Sequence, residues 1–147
     1  MTSSAYYDTN FLFKLQCHEH GTVEVRAHAA SMRTLICSVH GRAEFMSAAH
    51  RKVREGSATK TQLRALLAQL QTDTVAGALH WLPITDVHIA RVESVYVNAP
   101  PTAYLRAADA LHLASAAVHG FTEIYSNDRH LLAAAPLFGL KGVNVIP

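Results

Sequence analysis

Four acidic residues, Asp8, Glu44, Asp109 and Asp128, stand at positions from which a fold could gather them. Carboxylates brought together inside a protein repel one another unless a cation balances them. An all-oxygen set of that kind suits a hard divalent ion, Mg²⁺ or Mn²⁺. Such an ion lowers the pKa of water and stabilises charge developing on a group under attack. A carboxylate left free of it can orient or deprotonate the water, so hydrolysis needs no side-chain nucleophile.

The elements that must position these residues read as an α/β fold, because short apolar runs alternate with longer stretches of helical period. Strands are expected at Ala5–Tyr7, Thr34–Cys37, Trp81–Thr85 (an edge strand, given Pro83), Glu123–Tyr125 and Val143–Ile146. Helices are expected over Thr9–His18 (closed by Gly21), Val23–Ser31, Val39–Val53 (with Ser38 as N-cap), the stretch after Thr59, Val87–Val97, Ala103–His119 (capped by Thr102) and Arg129–Ala134. Thr59 and Gln62 have capping-box spacing, and Leu63, Leu66, Leu67 and Leu70 form the apolar stripe behind them. In a parallel sheet the strand ends and the starts of the following helices share one edge, where ligands bind. Asp8 and Asp128 follow strands directly, while Glu44 and Asp109 fall near the second turns of their helices, so all four should reach that edge.

Asp109 carries the sharpest argument. At 100° per residue it shares a face with Leu105, His112, Leu113 and Ala116, the apolar face of its helix. A buried carboxylate costs several kcal/mol in order of magnitude unless it is compensated. No lysine or arginine is read on that stripe, which leaves His112 as a partial counter-charge and a shared divalent ion as a better one. On the residues alone two readings stand. One is a metal site; the other is two helix caps, a solvated glutamate and an aspartate balanced by His112.

Composition excludes more than it selects. The chain has 147 residues, half of them hydrophobic and 16% charged, which is the balance of one globular domain spanning 1–147. A net charge of +2 does not announce a nucleic-acid binder. No leader-like start and no apolar run long enough to span a bilayer are seen, so a cytoplasmic protein is expected. Cys17 and Cys37 read as free thiols, and Cys17-His18-Glu19-His20 lacks a second ligand pair at zinc-finger spacing. The run His50-Arg51-Lys52-Val53-Arg54, with Lys60 and Arg64 beyond, is either a solvated helix surface or a grip on a phosphate backbone. Arg51 is its best member, lying two turns after Glu44 on nearly the same face. A phosphatase or receiver would also place an aspartate after its first strand, but the first wants a second acid where Asn10 stands and the second wants paired acids.

Taken together, the motifs resemble the PIN-domain nucleases, in particular VapC-type toxins of toxin–antitoxin pairs. Ala5-Tyr6-Tyr7-Asp8-Thr9-Asn10 is similar to that family's opening strand and first acid, and Ser38 to Phe45 to the segment carrying its glutamate. Asp109-Ala110-Leu111-His112-Leu113-Ala114 resembles its third acidic motif, and Ser126-Asn127-Asp128-Arg129 with Leu131 to Gly139 its closing motif. The resemblance implies a five-stranded parallel sheet, a divalent metal, hydrolysis of RNA, a homodimer and an antitoxin that blocks the site. It also implies Asp8 and Asp109 as direct metal ligands, Glu44 and Asp128 completing the pocket, and Asn10 and Ser126 assisting through hydrogen bonds. Arg51 and Lys52 would then form a basic rim for RNA. A non-catalytic or stand-alone PIN-fold RNA-binding protein is the alternative, and Cys17–Met32 carries no recognisable motif.

Overall fold

The computed structural model describes residues 3–147. Strand β1 (Ser4–Tyr6) leads into α1 (Thr9–Gln16) and α2 (Thr22–Ala30); β2 (Thr34–Ser38) leads into α3 (Val39–Arg54) and α4 (Lys60–Val75). Then come β3 (Leu79–Leu82), α5 (Asp86–Asn98), α6 (Ala107–Val118), β4 (Glu123–Tyr125), α7 (Arg129–Ala134), a 3₁₀ turn (Ala135–Phe138) and β5 (Lys141–Val143).

Among the described residues every strand pairing is parallel, as the alternation of strands and helices predicts. β2 lies between β1 and β3, with Ala5 opposite Leu35 and Ile36 opposite His80, and β4 pairs with β5. The five strands nevertheless form a three-stranded and a two-stranded sheet rather than one continuous five-stranded sheet. The two meet at a lone bridge between Tyr7 and Tyr125, beside which the Asp8 N–H donates to the Tyr125 carbonyl at 3.1 Å. The reason is local: Asp8 turns at once to cap α1, so β1 has almost no length left with which to pair β4.

Side-chain alternation along β1 sorts the core onto two faces. Tyr6 packs with Leu113, Ile124 and Phe138, whereas Ala5 and Tyr7 pack with Phe11, Val25 and Phe45. α6 is buried at Ala110, Leu113, Ala114 and Ala116; its small alanines let it sit close against α5 and β2. Gly21 does not close α1; it adopts φ 88° as the N-cap of α2, where a side chain would collide with Ile146.

Several boundaries differ from the sequence reading. The first helix leaves helical geometry at Cys17 instead of reaching His18. β3 starts two residues before Trp81 and ends at Leu82, because Pro83 has no N–H to continue the ladder; it does stand at the sheet edge. The last strand is Lys141–Val143, and Val145 and Ile146 instead pack on the core outside the ladder. Ser38 holds the N-cap position of α3 without capping it, since its hydroxyl is engaged with His40 Nδ1 at 2.9 Å. The helix expected from Ala103 begins at Ala107 with Arg106, not Thr102, at its N-cap. Pro101 and Thr102 form a turn and residues 103–106 take no regular structure, with Arg106 extended; the Leu105 carbonyl accepts from the Tyr96 hydroxyl at 2.7 Å. Among the described residues no helix is long and apolar enough to cross a membrane.

Candidate active site

One open cleft of about 310 Å³ brings Asp8, Glu44, Asp109 and Asp128 together, with Asn10, Arg51, Arg106 and His112 also in its lining. Each acid arrives by a different local device. Asp8 caps α1: Oδ1 accepts from the Phe11 N–H at 3.0 Å and Oδ2 from the Ser126 hydroxyl. Asp128 caps α7 in the same way, with Oδ1 accepting from His130 N at 2.8 Å and Leu131 N at 3.2 Å. Ser126 joins the two, because its hydroxyl oxygen also accepts from the Asp128 N–H at 2.9 Å. Asp109 lies in the first turn of α6, not the second, a consequence of the later helix start. Glu44 projects from α3.

Glu44 is held by a buried polar network. Its Oε1 accepts from the Thr9 hydroxyl at 2.8 Å and from His112 Nε2 at 2.6 Å. On the far side of the ring, His112 Nδ1 lies 2.9 Å from the Tyr6 hydroxyl, which accepts from the Ser38 N–H at 3.0 Å. Burial opposes charge on His112, but its contacts with Tyr6, Cys37 and Glu44 outweigh that and raise its pKa well above the ordinary value. Burial would raise Glu44, yet His112, Thr9 and His40 hold it below its usual value. Gly41 makes this convergence possible. A Cβ there would lie 2.5 Å from Cys37 Sγ, 3.1 Å from His112 Cε1 and 3.2 Å from Thr9 Oγ1.

Asp109 and Asp128 share a cation that the sequence reading missed. Arg106 Nε donates to Asp109 Oδ2 at 2.9 Å, and Nη2 donates to Asp128 Oδ2 at 2.7 Å. The absence of a basic residue at helical spacing from Asp109 is therefore corrected: Arg106 lies three residues before it, a spacing visible in the sequence inside the helix expected from Ala103. Burial would raise Asp128, but the Leu131 and His130 N–H groups and the Arg106 guanidinium hold its carboxyl below the usual range.

Asp8 is different. Only 3% exposed, it is pushed by burial up to about 6, although the Ser126 hydroxyl, His112 and the Phe11 N–H pull the other way and Asp128 pushes with it. Its negative charge is the one in the cleft that the protein leaves poorly compensated.

The donor set fits a hard divalent ion, being four carboxylates on one cleft, one of them buried and short of counter-charge. Among the described residues a tighter cluster of ligand atoms, within 4.8 Å of one another, comes from His40, Glu44 and His112. Those nitrogens are already engaged: His40 Nε2 lies 3.0 Å from the Ala108 carbonyl, and His112 Nε2 donates to Glu44. Burial and neighbouring His112 push His40 down to about 4. His40, Thr9 and Tyr6 were missed in the sequence because they act across the fold rather than along one helix.

Arg51 lines the cleft, two turns along α3 from Glu44. Lys52 does not; it lies 3.7 Å from Glu19 and lines an adjoining hollow. Glu19 itself pairs with Lys14 at 3.1 Å, so the Cys17–His20 segment is salt-bridged rather than arranged around a metal, and both cysteines are free.

A family profile described as PIN domain matches residues 5–136, a range that includes all four acids. The chain belongs to the PIN-domain family. Solved structures similar to this PIN domain include VapBC2 from Rickettsia felis bound to a DNA fragment from its promoter, with a TM-score of 0.66, 14% identity and 96% and 98% of the two chains covered. A toxin–antitoxin complex from Klebsiella pneumoniae gives a TM-score of 0.65 at 18% identity, over 96% of this chain and 97% of that one. VapC20 of Mycobacterium tuberculosis, described as a Sarcin-Ricin loop cleaving toxin, gives 0.67 at 17% identity, over 88% and 94%. At such identities the likeness establishes the fold. No curated protein sequence matches the chain.

Proposed function

We propose that this PIN domain is a divalent-metal-dependent endoribonuclease and the toxin of a VapBC-type toxin–antitoxin pair. It would work as a single domain in the cytoplasm, homodimeric and silenced by a cognate antitoxin. The observation that carries the reading is the meeting of four carboxylates in one open cleft that also holds two arginines.

In this reading Asp8 and Asp109 hold Mg²⁺ or Mn²⁺, and the ion supplies Lewis acidity toward water and phosphate. Glu44, fixed by Thr9 and His112, orients the attacking water and takes its proton; Asp128 completes the pocket. Ser126 fixes Asp8 by its hydrogen bond, Asn10 reaches the substrate from the cleft wall, and Arg51 holds a neighbouring phosphate. Toxin–antitoxin complexes among the similar structures support the antitoxin partner, and the RNA-cleaving description of VapC20 supports the substrate class.

One observation favours a non-catalytic PIN-fold RNA-binding protein instead: Arg106 already supplies a counter-charge to Asp109 and Asp128. The two readings separate on a panel of purified tRNAs, rRNA fragments and mRNAs with and without Mn²⁺. Metal-dependent cleavage lost in Asp109→Asn, together with growth arrest relieved by the same change at equal protein level, is expected. RNA binding with no cleavage under any divalent ion would establish the binding-protein reading.

A further inference from the structure

Beside the acidic cleft lies a group of planar side chains that the proposed chemistry does not use. The irregular segment before α6 carries Tyr104, which is 56% exposed. Its ring centroid lies 4.2 Å from that of His130, at 39° between planes, and Arg106 Cζ stands 5.9 Å from the Tyr104 centroid. This ledge is continuous with the cleft at two points. Arg106 bonds both Asp109 and Asp128, and the His130 N–H donates to Asp128.

We propose that the Tyr104–His130–Arg106 ledge is a nucleobase-stacking subsite for single-stranded RNA, placing the base next to the phosphodiester held in the acidic cleft. The inference rests on the ribonuclease reading and deepens it. Flat aromatic and guanidinium surfaces bind unstacked bases whatever their sequence, because every base offers a π-face. A cleft in which four acids face only two arginines gains limited grip from its own charge, and stacking at its margin adds grip without further charge. Arg106 serves two ends here. It neutralises Asp109 and Asp128 while the cleft is empty of RNA, and its exposed guanidinium is within reach of a phosphate once the base is seated on Tyr104.

The test uses the full chain and a short single-stranded RNA that the wild type cleaves, with a matched series carrying one abasic ribose at successive positions. Tyr104→Ala should raise KM about 5- to 100-fold with kcat little changed, while Tyr104→Phe, which keeps the ring, stays near wild type. An abasic ribose at one position beside the cleaved bond should cost the wild type the same factor and cost Tyr104→Ala nothing further. Calorimetric Mn²⁺ affinity should be unchanged in both variants. Equal KM for wild type and Tyr104→Ala across the whole abasic series would overturn the subsite and leave the nuclease reading standing. Loss of Mn²⁺ affinity in Tyr104→Ala would also overturn it, by making Tyr104 a support of the metal site. No cleavage of any RNA by the wild type would overturn the nuclease reading, and the subsite with it.

Discussion

Replacing Asp8 by asparagine should make the metal-free protein more stable, although Asp8 is a proposed metal ligand. Burial moves the Asp8 pKa from 3.8 to about 6, so the fold favours the protonated acid. The sign follows from linkage: a raised folded-state pKa contributes stability that is complete below pH 3.8 and is lost as the pH rises through about 6. At pH 8 the ionised carboxylate costs the metal-free fold about 3 kcal/mol, at 1.36 kcal/mol per pH unit. Asparagine is neutral and nearly isosteric; its Oδ1 can still accept from the Phe11 N–H, and its amide can donate to Ser126. With EDTA at pH 8, Asp8→Asn should therefore gain up to about 3 kcal/mol, or roughly 6–12 °C in Tm for a chain of this size. Near pH 4 the gain should shrink below about 1 kcal/mol. Mn²⁺ at a hundred times its Kd would restore about 2.7 kcal/mol to the wild type alone and close the gap at pH 8. Calorimetric melts of both proteins at pH 4 and pH 8, with EDTA and with Mn²⁺, read all of these quantities. If Asp8→Asn in EDTA is no more stable than wild type at pH 8, Asp8 is not a carboxylate short of counter-charge and the reasoning fails.

Two further perturbations probe the rim and the frame of the cleft. Arg51→Ala should lower the salt slope of RNA affinity by roughly one unit with metal affinity intact, whereas Lys52→Ala, already paired with Glu19, should change it less; superimposable salt titrations for Arg51→Ala and wild type would return Arg51 to ordinary surface. Gly41→Ala forces a methyl against Cys37, His112 and Thr9, so it should destabilise the fold by about 1–3 kcal/mol in urea unfolding and slow cleavage by displacing Glu44, and wild-type stability with wild-type kcat would refute the close-approach argument.

What the sequence revealed and what it hid divide along physical lines. Asp8 and Asp128 were legible because strand-to-helix junctions occupy the binding edge of any parallel sheet, and both are found there. Glu44 and Arg51 were legible together through helical period, since α3 is unbroken between them. The start of α6 was not, because Thr102, Ala103 and Leu105 suit a helix locally, whereas the Leu105 carbonyl is tied to the Tyr96 hydroxyl of α5. That single boundary shifted Asp109 by a turn, whereas Arg106 stands three residues before Asp109 in either reading and was passed over. The run Val143–Ile146 reads as a strand by hydropathy, but hydropathy cannot tell a residue on a ladder from one packed beside it. The division into two sheets was equally hidden, for it depends on how soon Asp8 turns the chain away from β1.

Asp8 and Asp128 serve the helices that follow them as well as the cleft, and this bears on how the family's sequences drift. A descendant released from nuclease duty would still be held at both positions to a short side chain able to accept from backbone N–H groups, because α1 and α7 fray without one. Glu44 caps nothing, and the Thr9 hydroxyl and His112 Nε2 that hold it lie 3.2 Å apart and can bond each other without it. Loss of function would therefore be written first at Glu44, with the two aspartates persisting as relics of folding, and a chain that keeps its aspartates but has exchanged that glutamate is the one to suspect of having fallen silent.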